Sequence, residues 1–471
     1  MKLALVSLNQ ESIDAPFGLC YLASYLRKYL GFNNTIIIDR EDPIKRIRKE
    51  KPDVVGISAT SIFFTQANEL AAKIKTEFDV PIMIGGVHIT SLPNQFEKSN
   101  FDIAVLGEGE QTLLELVRTF EKTGFVAEEL KKINGIMFRN NGSVERTPPR
   151  AFITPLDNIP YPARDLLDMD KYLLPRSSLF RGELVVAAGI LTSRGCPYNC
   201  VFCASKFWQR VMRLHSAEYI VGELKDLIEK YKIDHAIIWD DLFVVNRKRI
   251  EDLHSLMKSE GILDKIDFIA NGRANTMDEP ICKMLSEMNV KIISLGIESG
   301  SPSILKYLKQ GSTTIEQNKN VIAMCNKFGI KVNGFFIMGA PMETEADLQM
   351  TMDFIKNNNL DSLSVFQLVP FPNTEIWNYA KSKGLVNEEM TDFSYAQLVK
   401  PEFKPNMAMN ENLDVETLKK WYFAFQEEVD KKAYNKFNFR MRYLKYLLNP
   451  NFLSKVIERR GNIVKYLKFG K

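Results

Sequence analysis

Three cysteines, Cys196, Cys200 and Cys203, fall in the run Thr192-Ser193-Arg194-Gly195-Cys196-Pro197-Tyr198-Asn199-Cys200-Val201-Phe202-Cys203. A tight loop with those gaps can bring three sulfurs round one face of an iron–sulfur cube. The remaining iron then has no protein thiolate, so a small molecule can bind there and be split by the cluster's electron. Soft thiolates select either such a cluster or zinc. Structural zinc wants a full tetrahedral set, usually two paired clusters of ligands. Here the nearest histidine downstream is His215, and no second cysteine pair exists. The cluster is therefore the preferred reading. The other cysteines, Cys20, Cys282 and Cys325, lie in apolar, helix-like contexts and read as buried spacers.

The elements that position this loop can be read from periodicity. The chain has 471 residues, 45% hydrophobic and 25% charged, enough for two or three domains with real cores. Residues 1–125 alternate short apolar runs with amphipathic stretches. Strands are expected at Lys2–Leu8, Thr35–Asp39, Val54–Ser58, Ile82–Gly85 and Ile103–Leu106. Alternation of this kind argues for an open parallel sheet, whose ligands bind at the carboxyl ends of the strands. Small and polar residues gather at those ends, including Ser58, Thr60, Gly85, Gly86, His88 and Gly109. Residues 126–182 are expected to hold a hairpin near 135–144 and a proline-rich linker. A second strand–helix series fills 183–400, with strands at Leu184–Leu191, His235–Trp239, Phe268–Asn271, Ile292–Ile297, Val332–Met338 and Ser362–Gln367. Six such units suggest a (β/α)6 partial TIM barrel, with active groups at the strands' carboxyl ends. The cysteine loop follows the first of them. Residues 401–471 read as a helical C-terminal region.

In order and spacing these segments resemble the cobalamin (B12)-binding radical S-adenosylmethionine (radical SAM) family. The cysteine run carries the resemblance in the barrel. In the first domain it rests on Ala15-Pro16-Phe17-Gly18-Leu19-Cys20-Tyr21-Leu22, Gly56-Ile57-Ser58-Ala59-Thr60, Gly85-Gly86-Val87-His88 and Gly107-Glu108-Gly109-Glu110. It implies an α/β fold with a Rossmann-like B12-binding domain ahead of the partial barrel, and a [4Fe-4S] cluster, SAM and cobalamin as cofactors. Cys196, Cys200 and Cys203 would hold the cluster. Asp240 and Asp241 stand where relatives carry a glycine–glycine–glutamate loop for the SAM amino group, which either carboxylate or the backbone alone would receive. Glu298 and Ser299 would lie beside the SAM ribose and methionine, Gly339 beside the adenine, and Arg273 would meet the SAM carboxylate as a two-pronged donor. The first domain's strand-end residues would take the corrin and its nucleotide tail. The Asp-x-His-x-x-Gly pattern that offers a histidine to cobalt is absent. His88 thus reads as a hydrogen-bonded loop histidine beside the cobalamin site rather than a cobalt ligand. A dinucleotide at Gly107-Glu108-Gly109-Glu110 is disfavoured, since a third glycine is missing and the carboxylates would repel a pyrophosphate.

The leading expectation is an enzyme that methylates an unactivated carbon through a 5′-deoxyadenosyl radical and methylcobalamin. A cyclase or rearrangement enzyme using the same cofactors is the alternative within enzymes, and a non-catalytic cobalamin sensor or carrier the alternative outside them. A methylthiotransferase would be expected to carry a further N-terminal cysteine triad, but only Cys20 is present. Expected partners are a small-molecule or lipid substrate and a low-potential donor such as ferredoxin or flavodoxin. A net charge of +4 makes no case for nucleic acid. The start turns polar too soon for a signal peptide, and no stretch reaches bilayer length, so a cytoplasmic location is expected. From Lys431 to Lys471 twelve Lys and Arg face Glu458 alone, with aromatics between them. That tail either packs on the barrel, the favoured reading, or lies on an anionic membrane surface.

Overall fold

The computed structural model describes residues 1–8, 14–173, 185–205, 210–397 and 402–432. The first sheet runs β2-β1-β3-β4-β5-β6-β7. Its strands are β1 (Leu3–Ser7), β2 (Thr35–Ile38), β3 (Val54–Ser58), β4 (Ile82–Gly85), β5 (Ile103–Val105), β6 (Ile136–Asn140) and β7 (Ser143–Arg146). The first five are parallel, as expected for apolar runs separated by helices. Register aligns Leu5 with Gly56 and Gly56 with Met83, so these side chains share one face of the sheet. The helices Phe17–Leu30 and Glu110–Thr123 contribute to the hydrophobic core on that face.

One expectation fails here. The hairpin was expected to stand with the linker, but β6 pairs antiparallel with β5 and β7 with β6, extending the first sheet. Ile136 and Phe138 are fully buried, and that apolar face finds its cover only by continuing the sheet.

The second sheet is fully parallel in the order β15-β14-β13-β12-β11-β8. Its strands are β8 (Ala187–Ile190), β11 (His235–Ile238), β12 (Asp267–Gly272), β13 (Val290–Glu298), β14 (Lys331–Met338) and β15 (Ser362–Gln367). A two-stranded ribbon, β9 (Ser193–Arg194) with β10 (Arg213–Leu214), lies between β8 and β11 in the chain. The barrel helices start with local caps. Ser216, Asn246, Asp278, Thr314, Thr344 and Thr374 each accept a backbone N–H three residues on. Each cap satisfies a donor the helix leaves open, worth about 1 kcal/mol.

An open barrel has two edges to protect. Gln426, on the helix Val415–Lys432, donates to Val365 O of β15 at 3.1 Å. At β8, Arg164 donates to Gly189 O at 2.9 Å, and Phe17 packs so close that a Cβ on Gly189 would sit 2.7 Å from its ring. Phe17 of the first domain and Arg164 of the linker thus cover the β8 edge. No helix among the described residues is long and apolar enough to cross a membrane. The basic tail beyond Lys432 lies outside the described residues.

Candidate functional site

The cysteine run follows β9, and its base is closed by the ribbon, where Arg213 pairs with Arg194 and Leu214 with Ser193. Asp240, just past β11, clamps that base. Its Oδ1 accepts the backbone N–H of Thr192 at 2.6 Å and of Ser193 at 3.1 Å, and its Oδ2 accepts both hydroxyls. Arg249 completes the knot, donating to Thr192 O at 2.7 Å and lying 3.8 Å from Oδ2. Asp240 is therefore a loop brace. The expectation that it serves SAM is corrected, since its carboxylate is spent and 1% exposed. Its neighbour Asp241 hydrogen-bonds Ser205 on the cysteine loop and lines the cavity described below.

Further along, Val201 is tied on both sides. Its N–H donates to Leu308 O and its carbonyl accepts from Ile376 N. Cys196, Cys200 and Cys203 are free and half-buried. Cys200 Sγ lies 3.5 Å from Arg273 Nη1, and Cys203 Sγ accepts from Ser205 N at 3.4 Å. Burial raises the Cys196 thiol and pushes Cys203 up to about 11. Ligation needs thiolates, so binding a metal here releases protons. Among the described residues no three ligating side chains are drawn together at metal-holding distance. The chemistry of the donor set nevertheless fits a cluster: three soft ligands on one anchored loop, with cationic Arg273 beside them.

A cavity of about 310 Å³ opens between this loop and the first sheet. Ser58, Gly85, Gly86 and Gly109 line it from the strand ends, Trp239 and Asp241 from the barrel, and Leu5, Gly56 and Met83 along its inner wall. A Cβ on Gly109 would lie 3.0 Å from Leu22, and one on Gly86 only 2.6 Å from Ala59 O. Gly86 also holds φ at +107°, a conformation few other residues adopt. Those two glycines let the wall's own backbone pack closely, while Gly18 and Gly107, which also line the cavity, have nothing within 4 Å of an added Cβ and leave room for a flat group against backbone. At the small end of ligand-site volumes, the slot suits the tail of a large cofactor rather than the whole of it.

Two expected cobalamin residues fall outside this wall. His88 is fully buried, with Nδ1 3.1 Å from Ser61 Oγ and Nε2 2.9 Å from Gln95 Oε1. Its ring stacks on Phe64 and meets Phe393 edge-on, and burial lowers its pKa to about 4. Both nitrogens and both faces are used, so His88 is a core residue; its placement in the cobalamin site is corrected. Thr60 is exposed at the start of a short 3-10 turn and does not line the cavity.

At the barrel mouth, Glu298 holds φ at +67° where β13 shifts register against β14. Such a conformation costs about 1–3 kcal/mol at a non-glycine residue and marks a site the fold over-determines. Glu298 lines a second, apolar cavity of about 220 Å³ with Phe202, Phe335 and Phe366. Its partner is buried Lys309, 3.7 Å away. Ser299 faces inward: its hydroxyl meets Thr351 Oγ1 at 3.0 Å and accepts Ser301 N, so it braces the turn and its side chain does not face the mouth. Gly339 holds φ at +89°, with nothing nearer its absent Cβ than Gln367 at 4.0 Å, so its face is open to close approach. Glu343 accepts the N–H groups of Gly339 and Ala340. Burial pushes its carboxyl up to about 8.

Sequence reading missed what joins the two sheets. Arg194, two residues before Cys196, donates to Glu108 Oε1 at 2.8 Å and Glu110 Oε1 at 2.6 Å. Arg213, at the other foot of the loop, meets Glu108 through both Nη atoms at 2.8 and 2.7 Å. Burial alone would raise the Glu108 carboxyl, but Arg213 and Arg194 reverse that and hold it below the usual glutamate range. The Glu108-Gly109-Glu110 turn, which walls the cavity, therefore grips both feet of the cysteine loop.

A half-barrel with a three-cysteine loop at its mouth, facing a glycine-lined strand-end cavity, is the arrangement expected of an enzyme that works with a cluster and a large flat cofactor. The family model for the Radical SAM superfamily matches residues 190–355, and that for the B12 binding domain matches 6–117. An uncharacterized methyltransferase of Pyrococcus horikoshii is 33% identical over 96% of this chain and 92% of its own length. The anaerobic magnesium-protoporphyrin IX monomethyl ester cyclase of Rubrivivax gelatinosus is 30% identical over 85% of this chain and 72% of its own. Among solved structures, the cobalamin-dependent S-adenosylmethionine radical enzyme OxsB superposes with a TM-score of 0.70 at 21% identity, over 95% of this chain and 70% of its own. The radical S-adenosylmethionine methyltransferase TsrM of Kitasatospora setae gives 0.66 at 20% identity, over 81% and 76%. The chain belongs to the cobalamin-binding radical SAM family; it is a radical SAM enzyme whose cofactors are a [4Fe-4S] cluster, SAM and cobalamin.

Proposed function

We propose that the protein transfers a methyl group to an unactivated carbon of a small molecule. The observation that carries this reading is a cavity walled from both sides, by the strand-end glycines and by Ser193, Arg194 and Gly195 at the start of the cysteine loop, with Trp239 and Asp241 between them. Methyl-transferring relatives support it, among them the cytidylyl-2-hydroxyethylphosphonate methyltransferase of Streptomyces wedmorensis, 28% identical over 79% of each chain. When bound, the cluster supplies the electron that splits SAM, and cobalamin supplies the methyl group.

This chain's residues do the positioning. Cys196, Cys200 and Cys203 hold the cluster on a loop that Asp240 and Arg249 keep in place. Asp241, open to the cavity, accepts the SAM amino group. Glu298, set by its strained backbone, sits by the ribose, and Gly339 lets the adenine approach the backbone. Ser58, Gly85, Gly86 and Gly109 take the cobalamin tail. Apolar walls around the mouth exclude water from the reacting atoms.

A second reading is a cyclase, favoured by the 30% identity to the Rubrivivax enzyme. Product stoichiometry separates the two after anaerobic reconstitution. Methylation consumes two SAM molecules and yields S-adenosylhomocysteine beside 5′-deoxyadenosine. Cyclisation yields only the latter. Cys200→Ala must abolish SAM cleavage in either case; a variant that still cleaves SAM would end both readings.

A further inference from the structure

Arg273 follows β12 directly and is 7% exposed. Its guanidinium has three neighbours. Nη1 lies 3.5 Å from Cys200 Sγ, Nη2 donates to Ser312 Oγ, and the planar group lies over the Tyr198 ring, 3.8 Å from its centroid. Its Nε is buried without a partner. Among the described residues no carboxylate oxygen stands within 4.0 Å of it; the nearby Glu298 is paired with Lys309 instead. A buried cation without a counter-charge is costly, several kcal/mol in real proteins, and persists where an anion arrives to meet it. Every other deeply buried arginine at this site has its carboxylate: Arg194 and Arg213 have Glu108, and Arg249 has Asp240.

We propose that the missing anion is the iron–sulfur cluster itself, and that Arg273 is its counter-ion. A cube held by three thiolates carries net negative charge, and more of it once it accepts an electron. A fixed cation donating to one of those sulfurs stabilises the reduced form more than the oxidised one. It therefore raises the reduction potential. A cluster held there would accept one electron from a low-potential donor, which would be oxidised in turn, and Arg273 would make that transfer easier. Tyr198 and Ser312 fix the guanidinium plane, so the donated hydrogen bond keeps its aim at Cys200. Arg273 acts here as a positioning and tuning residue, a role distinct from gripping the SAM carboxylate. The inference rests on Cys196, Cys200 and Cys203 holding the cluster.

The test is a redox titration of the reconstituted full chain, with no SAM present, followed by electron paramagnetic resonance of the reduced cluster. Arg273→Gln should lower the potential, so that at a fixed poise the reduced-to-oxidised ratio falls at least about threefold, about 30 mV for a one-electron couple. Arg273→Lys keeps the charge without the fork and should fall between. Ser312→Ala, which frees the guanidinium, should shift the same way by less. Lys306→Gln, an exposed charge on the helix Pro302–Lys309, should leave the potential unchanged. An unmoved potential in Arg273→Gln, with weaker SAM binding in the same samples, would assign Arg273 to SAM alone and overturn the proposal. So would a shift in Lys306→Gln as large as that in Arg273→Gln. If Arg273→Gln loses its iron, the Lys and Ser312→Ala variants decide. A wild-type chain that yields no cluster signal would sink the three-cysteine assignment and this inference with it.

Discussion

Glu108→Gln is the most informative single change outside the cofactor ligands. The side chain is 4% exposed and takes hydrogen bonds from Arg194 Nη1, from both Nη atoms of Arg213 and from Ile153 N. With Glu110 the knot is charge-balanced, two guanidinium groups against two carboxylates. The amide is isosteric, so packing survives while one negative charge is lost. Removing one member of a buried pair costs about 3–5 kcal/mol, because the partner is left buried and uncompensated. Arg194 retains Glu110, which puts the expected loss near the lower bound, about 3 kcal/mol, or roughly a hundredfold in the folding constant. Urea denaturation followed by circular dichroism reads the loss. The double variant Glu108→Gln with Arg213→Gln restores charge balance and should recover stability relative to simple addition of the two losses. Cobalamin retention in the single variant should also fall, since Glu108 walls the cavity. A single variant within about 0.5 kcal/mol of wild type, the range of ordinary surface changes, would refute the reasoning. So would a double variant whose loss is additive, because contacting charges must couple.

Acid should act through the same knot and through two histidines. The Glu108 carboxyl is lowered in the folded chain, so its stabilisation is complete above the ordinary glutamate value of 4.5 and is lost as pH falls below it. His88 and His215 are both lowered to about 4, chiefly by burial. The unfolded chain takes those protons near 6.5, so stability should hold above that pH and decline from 6.5 towards 4. His88→Gln should flatten part of that decline in a pH series of urea midpoints; an unchanged slope would remove His88 from the account. Gly86→Ala places a Cβ 2.6 Å from Ala59 O at φ +107°, and should cost more than about 1 kcal/mol and abolish cobalamin retention on a desalting column. Asp240→Asn leaves Arg249 facing a neutral amide in a buried knot, and reconstituted iron per chain should drop well below wild type while helix content is unchanged. Full iron loading would show that the clamp does not hold the loop.

Much of this site was legible because it is local. Strand ends rich in glycine and a cysteine run after the first barrel strand are short-range signals, and each reports on one turn of chain. What escaped reading is what needs two distant segments at once. Glu108 and Arg213 are 105 positions apart, and nothing in either stretch names the other. The acidic pair read as repelling a pyrophosphate is in fact neutralised by Arg194 and Arg213, so that exclusion rests on the missing third glycine. Asp240 and Asp241 are indistinguishable by type, yet one meets the loop base and the other meets Ser205 and the cavity. The hairpin's place at the edge of the first sheet likewise depends on pairing with β5, a non-local choice.

The placement of the ion pairs has a consequence for how the two cofactors are kept in register. Apolar packing between two sheets tolerates small slides, because dispersion contacts have shallow directional preference. A two-pronged guanidinium–carboxylate contact does not, since both hydrogen bonds weaken when either partner moves. Here that contact joins the foot of the cluster loop to the turn that walls the tail slot, at Arg213 and Glu108, and a second arginine, Arg194, locks the other foot to the same turn. On the proposed assignment of the two sites, their separation is set by fixed-geometry bonds of 2.6–2.8 Å rather than by the softer interface around them. Reactions that pass a short-lived radical from one centre to a substrate facing the other need that separation held to a fraction of an ångström.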